Sequence, residues 1–365
     1  MKFKKLLIPA ILSLSLFTLS SCDIIGFIKD NSNIDTSGLD ELINGQEETY
    51  TPVEIDETNE DYGYLDLQTY ESKKTDYISF YTLINDYCKN FMTSNTNLSA
   101  TSRDIGGGIS KNYYIIEDSI SYTAYNLTYD EASSIYKTVV LDHPEYYFLD
   151  NTLLSATMQI GSITRGYISL VCDPDYKDAS VRSNFNTQIS AYDQTIKDLF
   201  TTTDTVIDKI KKIHDYIINT SEYAFKADGH TPDDSSYAHN LLGVMVNHKG
   251  VCESYSEAFQ YLLKQNNIYC ILVTGTGITS EGSEAHAWNY VKLNYDVDGE
   301  VVPKWFGFDL TWDDPVSSHP VLSHEYYGRN NSMLTDHIPA PEGDFTYGLE
   351  YMYTLPTLSD THLSY

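Results

Sequence analysis

The sequence predicts an α+β fold in which a helix with a cysteine in its first turn packs on an antiparallel sheet, preceded by a smaller mixed α/β domain. Three observations carry this. Gly250-Val251-Cys252 stands just before Tyr255, Ala258, Phe259, Leu262 and Leu263, the three-and-four spacing of one buried helical face. Residues 286–294 and 301–311 are two β-rich runs joined by Asp296-Val297-Asp298-Gly299, a hairpin signal. Between 72 and 200, helical and strand patterns alternate.

The chain opens with Lys2, Lys4 and Lys5, an apolar stretch over 6–19, and Leu19-Ser20-Ser21-Cys22. This is a secretory signal, too short and wrongly flanked to be a spanning helix. Its end resembles the bacterial lipobox, which implies cleavage after residue 21, acylation of Cys22, and an extracytoplasmic, lipid-anchored protein at the cell surface. Between Asp23 and Glu71 there are fourteen acids and one lysine, so residues 22–71 read as an acidic, disordered spacer. The whole chain carries a formal charge of −29, more negative still without the signal lysines. That excludes nucleic acid as a partner and leaves membrane attachment to the lipid.

Residues 72–200 form an N-terminal domain. Tyr77, Phe80, Tyr81, Ile84, Cys88 and Phe91 mark a first helix, and 112–126 suits a strand. Thr128-Tyr129-Asp130-Glu131 is a capping box opening a second helix that Pro144 ends. Residues 146–149, 158–163 and 167–172 read as strands, and Val181, Phe185, Ile189, Tyr192 and Ile196 as a third helix. Residues 201–365 form the second domain and its C-terminal extension. It begins with a box-like cap at Thr205 to Asp208 and the apolar face Ile210, Ile213, Ile217 and Ile218. A shorter helix is expected over 237–246, then the Cys252 helix, a strand over 268–274, and a Gly- and Ser-containing loop to Ala285.

A hairpin centred between Val297 and Asp298 pairs residues whose numbers sum to 595, setting His286 opposite Asp309 and Tyr290 opposite Trp305. Acyl transfer through a thiol needs a thiolate, a proton acceptor and oxyanion donors. Cys252 is placed where unpaired helix N–H groups should lower a thiol pKa, His286 can accept its proton, and Asp309 can fix the imidazole tautomer. The backbone N–H of Cys252 is one oxyanion donor, and Tyr237 is a candidate for the second. Singly, each residue also suits a structural role; their order along these elements favours catalysis.

Lys212-Ile213-His214-Asp215-Tyr216-Ile217, Gly250-Val251-Cys252, Ala285-His286-Ala287-Trp288-Asn289 and Phe308-Asp309-Leu310-Thr311-Trp312-Asp313-Asp314-Pro315 together resemble the transglutaminase-like superfamily of papain-related thiol enzymes. The likeness spans roughly 204–315; members often carry Gly and Tyr where this chain has Ser254 and Tyr255. It implies a papain/transglutaminase-like core with Cys252 as nucleophile, His286 as base and Asp309 as the acidic member. It also implies a protein or peptide substrate, with hydrolysis of amides preferred over amine cross-linking because no EF-hand pattern is present. A catalytically inactive binding module is the competing class.

No cofactor and no metal site are expected: His319, His324 and His337 have no standard zinc spacing, and there is no C-x-x-C. Gly106-Gly107-Gly108 follows no clear strand, and Asp313-Asp314-Pro315 reads as a turn. With Cys252 kept free, Cys88 and Cys172 are the candidate disulfide pair in an exported chain. The sequence leaves the oligomeric state open.

Overall fold

The computed structural model describes residues 46–54, 61–105, 107–280, 282–316, 321–340 and 354–364. The signal segment and Cys22 lie outside the described residues. Among those described, no helix is long and apolar enough to cross a membrane.

The N-terminal half contains β1 (Gln46–Glu47), α1 (Tyr62–Leu67), α2 (Lys74–Thr93), β2 (Ala100–Asp104), β3 (Ser110–Ser121), α3 (Tyr129–Asp142), β4 (Leu154–Ile160), β5 (Ile163–Cys172) and α4 (Ala179–Lys197). Its sheet is antiparallel in the order β2-β3-β5-β4. The C-terminal half adds α5 (Val206–Thr220), β6 (Glu222–Tyr223), β7 (Lys249–Gly250), α6 (Cys252–Lys264), β8 (Tyr269–Thr279), β9 (Gly282–Val297), β10 (Glu300–Phe308), α7 (Leu310–Asp313), β11 (His337–Pro339) and β12 (Thr361–His362). Its main sheet, β10-β9-β8-β11, is antiparallel throughout, and α6 packs on β8 and β9. This is the expected α+β, papain-like arrangement.

Local chemistry sets the helix starts. At α3, Thr128 Oγ1 accepts the Glu131 N–H and Glu131 returns the bond to the Thr128 N–H; Thr205 and Asp208 do the same at α5. Several expected elements differ: residues 158–163 contain the turn between β4 and β5, and Tyr122–Tyr125 is a 3-10 turn after β3. Residues 146–149 make turns and one isolated bridge, Leu149 to Cys172, because Tyr146, Tyr147 and Phe148 are core aromatics rather than strand partners. Residues 237–246 are split between a 3-10 turn (Ser236–His239) and a π turn (Gly243–Asn247).

The spacer reading fails where the structure describes that segment. β1 pairs with β12, the Val53 N–H bonds to the Asn294 carbonyl, and the N–H groups of Gly63 and Tyr64 in α1 bond to the Asp142 carboxylate. Tyr62 to Leu67 has a helical pattern that the surrounding acids masked, and Leu67 is fully buried. One contiguous core runs from Leu67 through α2, α3, α5, α6, β9 and β10 to Leu363, so the two halves share their packing.

Cys88 and Cys172 are free thiols. Both are fully buried in that core and act as small apolar residues; burial pushes each up to about 12. The Cys172 thiol donates to the Asp173 carbonyl.

Candidate active site

Cys252 is the first residue of α6, after an extended Val251. Its N–H therefore points from the helix end without an intrahelical acceptor. The thiol is nearly enclosed and donates to Glu253 Oε2 at 3.7 Å. Burial, followed by the Glu253 charge, pushes it well above the ordinary thiol value, against hydrogen bonds from the backbone of Ala287 and Glu253. This reverses the expectation of a lowered thiol, because enclosure outweighs the helix terminus. Glu253 is itself paired with His239 at 3.1 Å.

His286 lies on β9 with its Nε2 2.7 Å from Asp309 Oδ2. Among the described residues its Nδ1 makes no hydrogen bond. The ring is sandwiched between Trp312, stacked at 4.9 Å, and Trp288, stacked at 6.0 Å. Asp309 is fully buried at the N-cap of α7, where Oδ1 accepts the N–H groups of Thr311 and Trp312 at 2.9 and 3.1 Å. Burial works against its charge, but His286 and His337 hold it well below the usual carboxylate range.

The hairpin that brings these residues together has a register two residues away from the expected one. Glu300 pairs with Val297, Gly307 with Tyr290, and Trp305 with Lys292. Asp298 (φ 54°) and Gly299 (φ 86°) are both left-handed, the backbone of a two-residue type I′ turn, which moves the turn centre forward by one position. β10 ends at Phe308, so Asp309 meets His286 diagonally, from the cap of α7. A slip of two keeps each side chain on its face, which is why the pairing survives.

The expected loop after Thr274 is also strand. Gly275 pairs with His286 and Gly277 with both Glu284 and His337. A Cβ on Gly275 would lie 2.1 Å from the Ile338 carbonyl oxygen, and one on Gly277 2.8 Å from Trp312 and 3.2 Å from His286. The glycines mark close approach of β11 and of the His286 and Trp312 rings rather than a loop.

Cys252, His286 and Trp312 line one cavity of about 850 Å³, together with Tyr223, Phe225 and Ile278. Tyr237 is not among its lining residues; its hydroxyl donates to Asp233 at 3.2 Å. Tyr237 packs against Ala224, Ala238 and Val251, ahead of the start of α6.

Among the described residues, two sets of three side chains bring potential ligand atoms within 4.8 Å: His214, Asp215 and His324, and His286, Asp309 and His337. In both, imidazole nitrogens face carboxylate oxygens at 2.7 to 3.0 Å, the spacing of shared protons. The Lys211 ammonium lies 3.0 Å from Asp215 and supplies the first set with its cation. His214 also reaches Asp313 at 3.1 Å, and Asp313 accepts the Tyr326 N–H, so the Asp313 turn ties α5 to the segment behind the site.

The sequence pointed to Cys252, His286 and Asp309, and the structure joins the last two by a bond and sets the first on the same cavity. It also places His337 on Asp309, at 3.0 Å from Oδ2. No sequence signal marked that contact, since β11 is three residues long and comes from a distant part of the chain.

No curated protein matches the chain in sequence. Among solved structures, a TGase crystal structure is 16% identical with a TM-score of 0.27, over 45% of each chain. A cysteine protease candidate from Cytophaga hutchinsonii is 15% identical with a TM-score of 0.25, over 44% of this chain and 64% of that one. The periplasmic domain of TgpA from Pseudomonas aeruginosa is 13% identical with a TM-score of 0.23, over 44% and 65%. This chain thus spans less than two thirds of each of them. The family model of the transglutaminase-like superfamily matches residues 193–310, which contain α5, α6, Cys252, His286 and Asp309. The likeness to the transglutaminase-like superfamily is thus carried by residues 193–310.

Proposed function

We propose that this chain is a thiol hydrolase of peptide or amide bonds, in which Cys252 is the nucleophile, His286 the general base and acid, and Asp309 the group that orients it. The observation that carries the reading is the 2.7 Å bond from His286 Nε2 to a buried Asp309, on the wall of the cavity that also holds the Cys252 thiol. That bond puts a proton on Nε2 and leaves Nδ1 to take the thiol proton.

As Cys252 Sγ attacks the carbonyl carbon, its proton passes to His286 and the oxyanion meets the Cys252 N–H at the start of α6. Collapse breaks the C–N bond, with the imidazolium proton going to the leaving amine. Water then attacks the thioester, His286 takes one of its protons, and returning that proton to sulfur releases the acid and restores the thiol. The raised thiol fits a resting state in which the proton stays on sulfur and passes to His286 only as the bond to the carbonyl carbon forms. The lipobox-like Leu19-Ser20-Ser21-Cys22 supports an extracytoplasmic position, tethered by lipid on Cys22.

The test is covalent labelling of the purified protein by a peptide-like acylating probe, read by intact mass. One label per chain is expected, lost in Cys252→Ala with the unfolding midpoint retained. Unchanged labelling of the folded variant, or none of the wild type, overturns the proposal. Incorporation of a fluorescent primary amine into acceptor peptides, without release of free acid, would replace hydrolysis by cross-linking.

A further inference from the structure

His337 is a buried ionisable group bonded to Asp309 that the proposed chemistry leaves without a role. Its side chain is 1% exposed, and both ring nitrogens face carboxylates: Nε2 lies 3.0 Å from Asp309 Oδ2 and Nδ1 lies 2.8 Å from Asp336 Oδ1. Ionised carboxylates only accept, so both nitrogens must carry protons and the ring is a cation. Trp312 at 4.5 Å, Trp288 at 4.9 Å and Tyr326 at 5.3 Å enclose it, and the Tyr326 hydroxyl donates to the second Asp336 oxygen.

The resulting Asp309 environment is saturated. Oδ1 takes two backbone N–H groups and Oδ2 takes two imidazoles, so the carboxylate cannot rotate without breaking several bonds. His286, 5.5 Å from His337 between ring centres, reads the same oxygen. We propose that His337 is a positioning residue for this site: as an imidazolium bridging Asp336 and Asp309, it fixes the acid behind His286 and reduces the negative charge that His286 feels. The inference rests on the functional reading above and adds a residue to it. Hydrogen bonds to Asp309 and Asp336 overcome the opposing effect of burial and hold His337 up to about 9, in keeping with a cation at neutral pH.

Among the described residues, Glu253, Glu284, Asp314, Asp336, His230 and His239 line the cavity with Cys252 and His286. His337 faces Asp309, Asp336 and His286, while His286 faces Asp309 and His337; Cys252 faces Glu253, which carries His239. Tyr223 lies in the fields of Cys252, Glu253, Glu284 and Asp309. Removing the His337 charge while keeping a donor should make imidazolium at His286, and so thiolate at Cys252, easier to form.

The experiment is the pH dependence of Cys252 alkylation by iodoacetamide, followed by intact mass on the full chain, for wild type and His337→Gln. The acid limb is expected to move down by about one pH unit in the variant. A folded variant whose limb coincides with that of wild type, or moves up, overturns the inference. Should the variant fail to fold, imidazole nitrogen NMR of the wild type decides: both His337 nitrogens protonated at pH 7 support the bridge, and a neutral tautomer overturns it. Wild-type protein unlabelled at every pH would instead sink the functional reading, while the NMR result on His337 would stand separately.

Discussion

At Cys252 two influences of opposite sign meet. The start of α6 offers N–H dipoles that favour a thiolate, yet the sulfur is nearly enclosed and sits 3.7 Å from the Glu253 carboxylate. Burial and then the Glu253 charge dominate, so the free thiol rests well above its ordinary pKa. Glu253 contacts the Cys252 sulfur but is none of Cys252, His286 and Asp309, so it can be changed with all three kept. Glu253→Gln removes a negative charge beside the sulfur and is expected to shift the acid limb of Cys252 alkylation to lower pH. That makes the rate at pH 7 several-fold faster, since about one unit of pKa is tenfold in thiolate. An unchanged limb would mean that enclosure alone holds the thiol up. Trp312 belongs to the same scale: stacked on His286 and capped by Asp309, it limits the imidazole to one plane.

Among the elements, α6 was fully legible: its apolar face, its start and its cysteine all appear in the order of residues. The β9–β10 hairpin was legible in kind and misread by two residues, because Asp298-Gly299 is a stronger two-residue turn than Val297-Asp298. β11 and the strand end through Gly275 and Gly277 were not legible. Glycine repeats look like a loop in sequence, and only the chain returning at Ile338 and Trp312 explains why no side chain fits there. α1 was hidden for a different reason, since its six residues sit in a run of acids whose composition suggests a spacer. The glycine argument is testable. In Gly277→Ala the new methyl would press on the Trp312 ring at 2.8 Å and on the His286 Cβ at 3.2 Å. A loss of about 1–3 kcal/mol in denaturant unfolding is expected, with at least tenfold slower Cys252 alkylation as the rings shift. Full retention of both would show that the wall yields freely.

For the whole molecule, the seam between the halves and the triad share one pH dependence. At the seam, Lys264 of α6 is bonded to Asp61 and to the Asp142 carbonyl, and the Gln260 side chain donates to the Leu141 carbonyl. His143 follows directly, buried 3.1 Å from Asp61 and 3.0 Å from Glu145. Burial opposes its charge, but those two acids raise it to about 9, and His337 is raised to about 9 behind the triad. Both imidazoles ionise near 6.5 in an unfolded chain. A histidine raised on folding stabilises fully below the unfolded value and loses that contribution as pH climbs through the folded one. Stability should therefore fall between about pH 6.5 and pH 9, by on the order of a few kcal/mol for the two together. Above about 8.5 the buried Cys88 and Cys172 thiols add to the fall, since the unfolded chain ionises them and the folded one does not. Thermal unfolding at pH 6.5, 7.5 and 9 should show a midpoint that drops across the series, and His143→Gln should flatten the drop. Hydrogen exchange should rise first in α1 and at the end of α3, where Asp61 is shared by His143 and by Lys264 of α6. A midpoint constant from pH 6.5 to 9 would show that neither imidazole is charged in the folded protein, and would remove the electrostatic tie between the seam and the site.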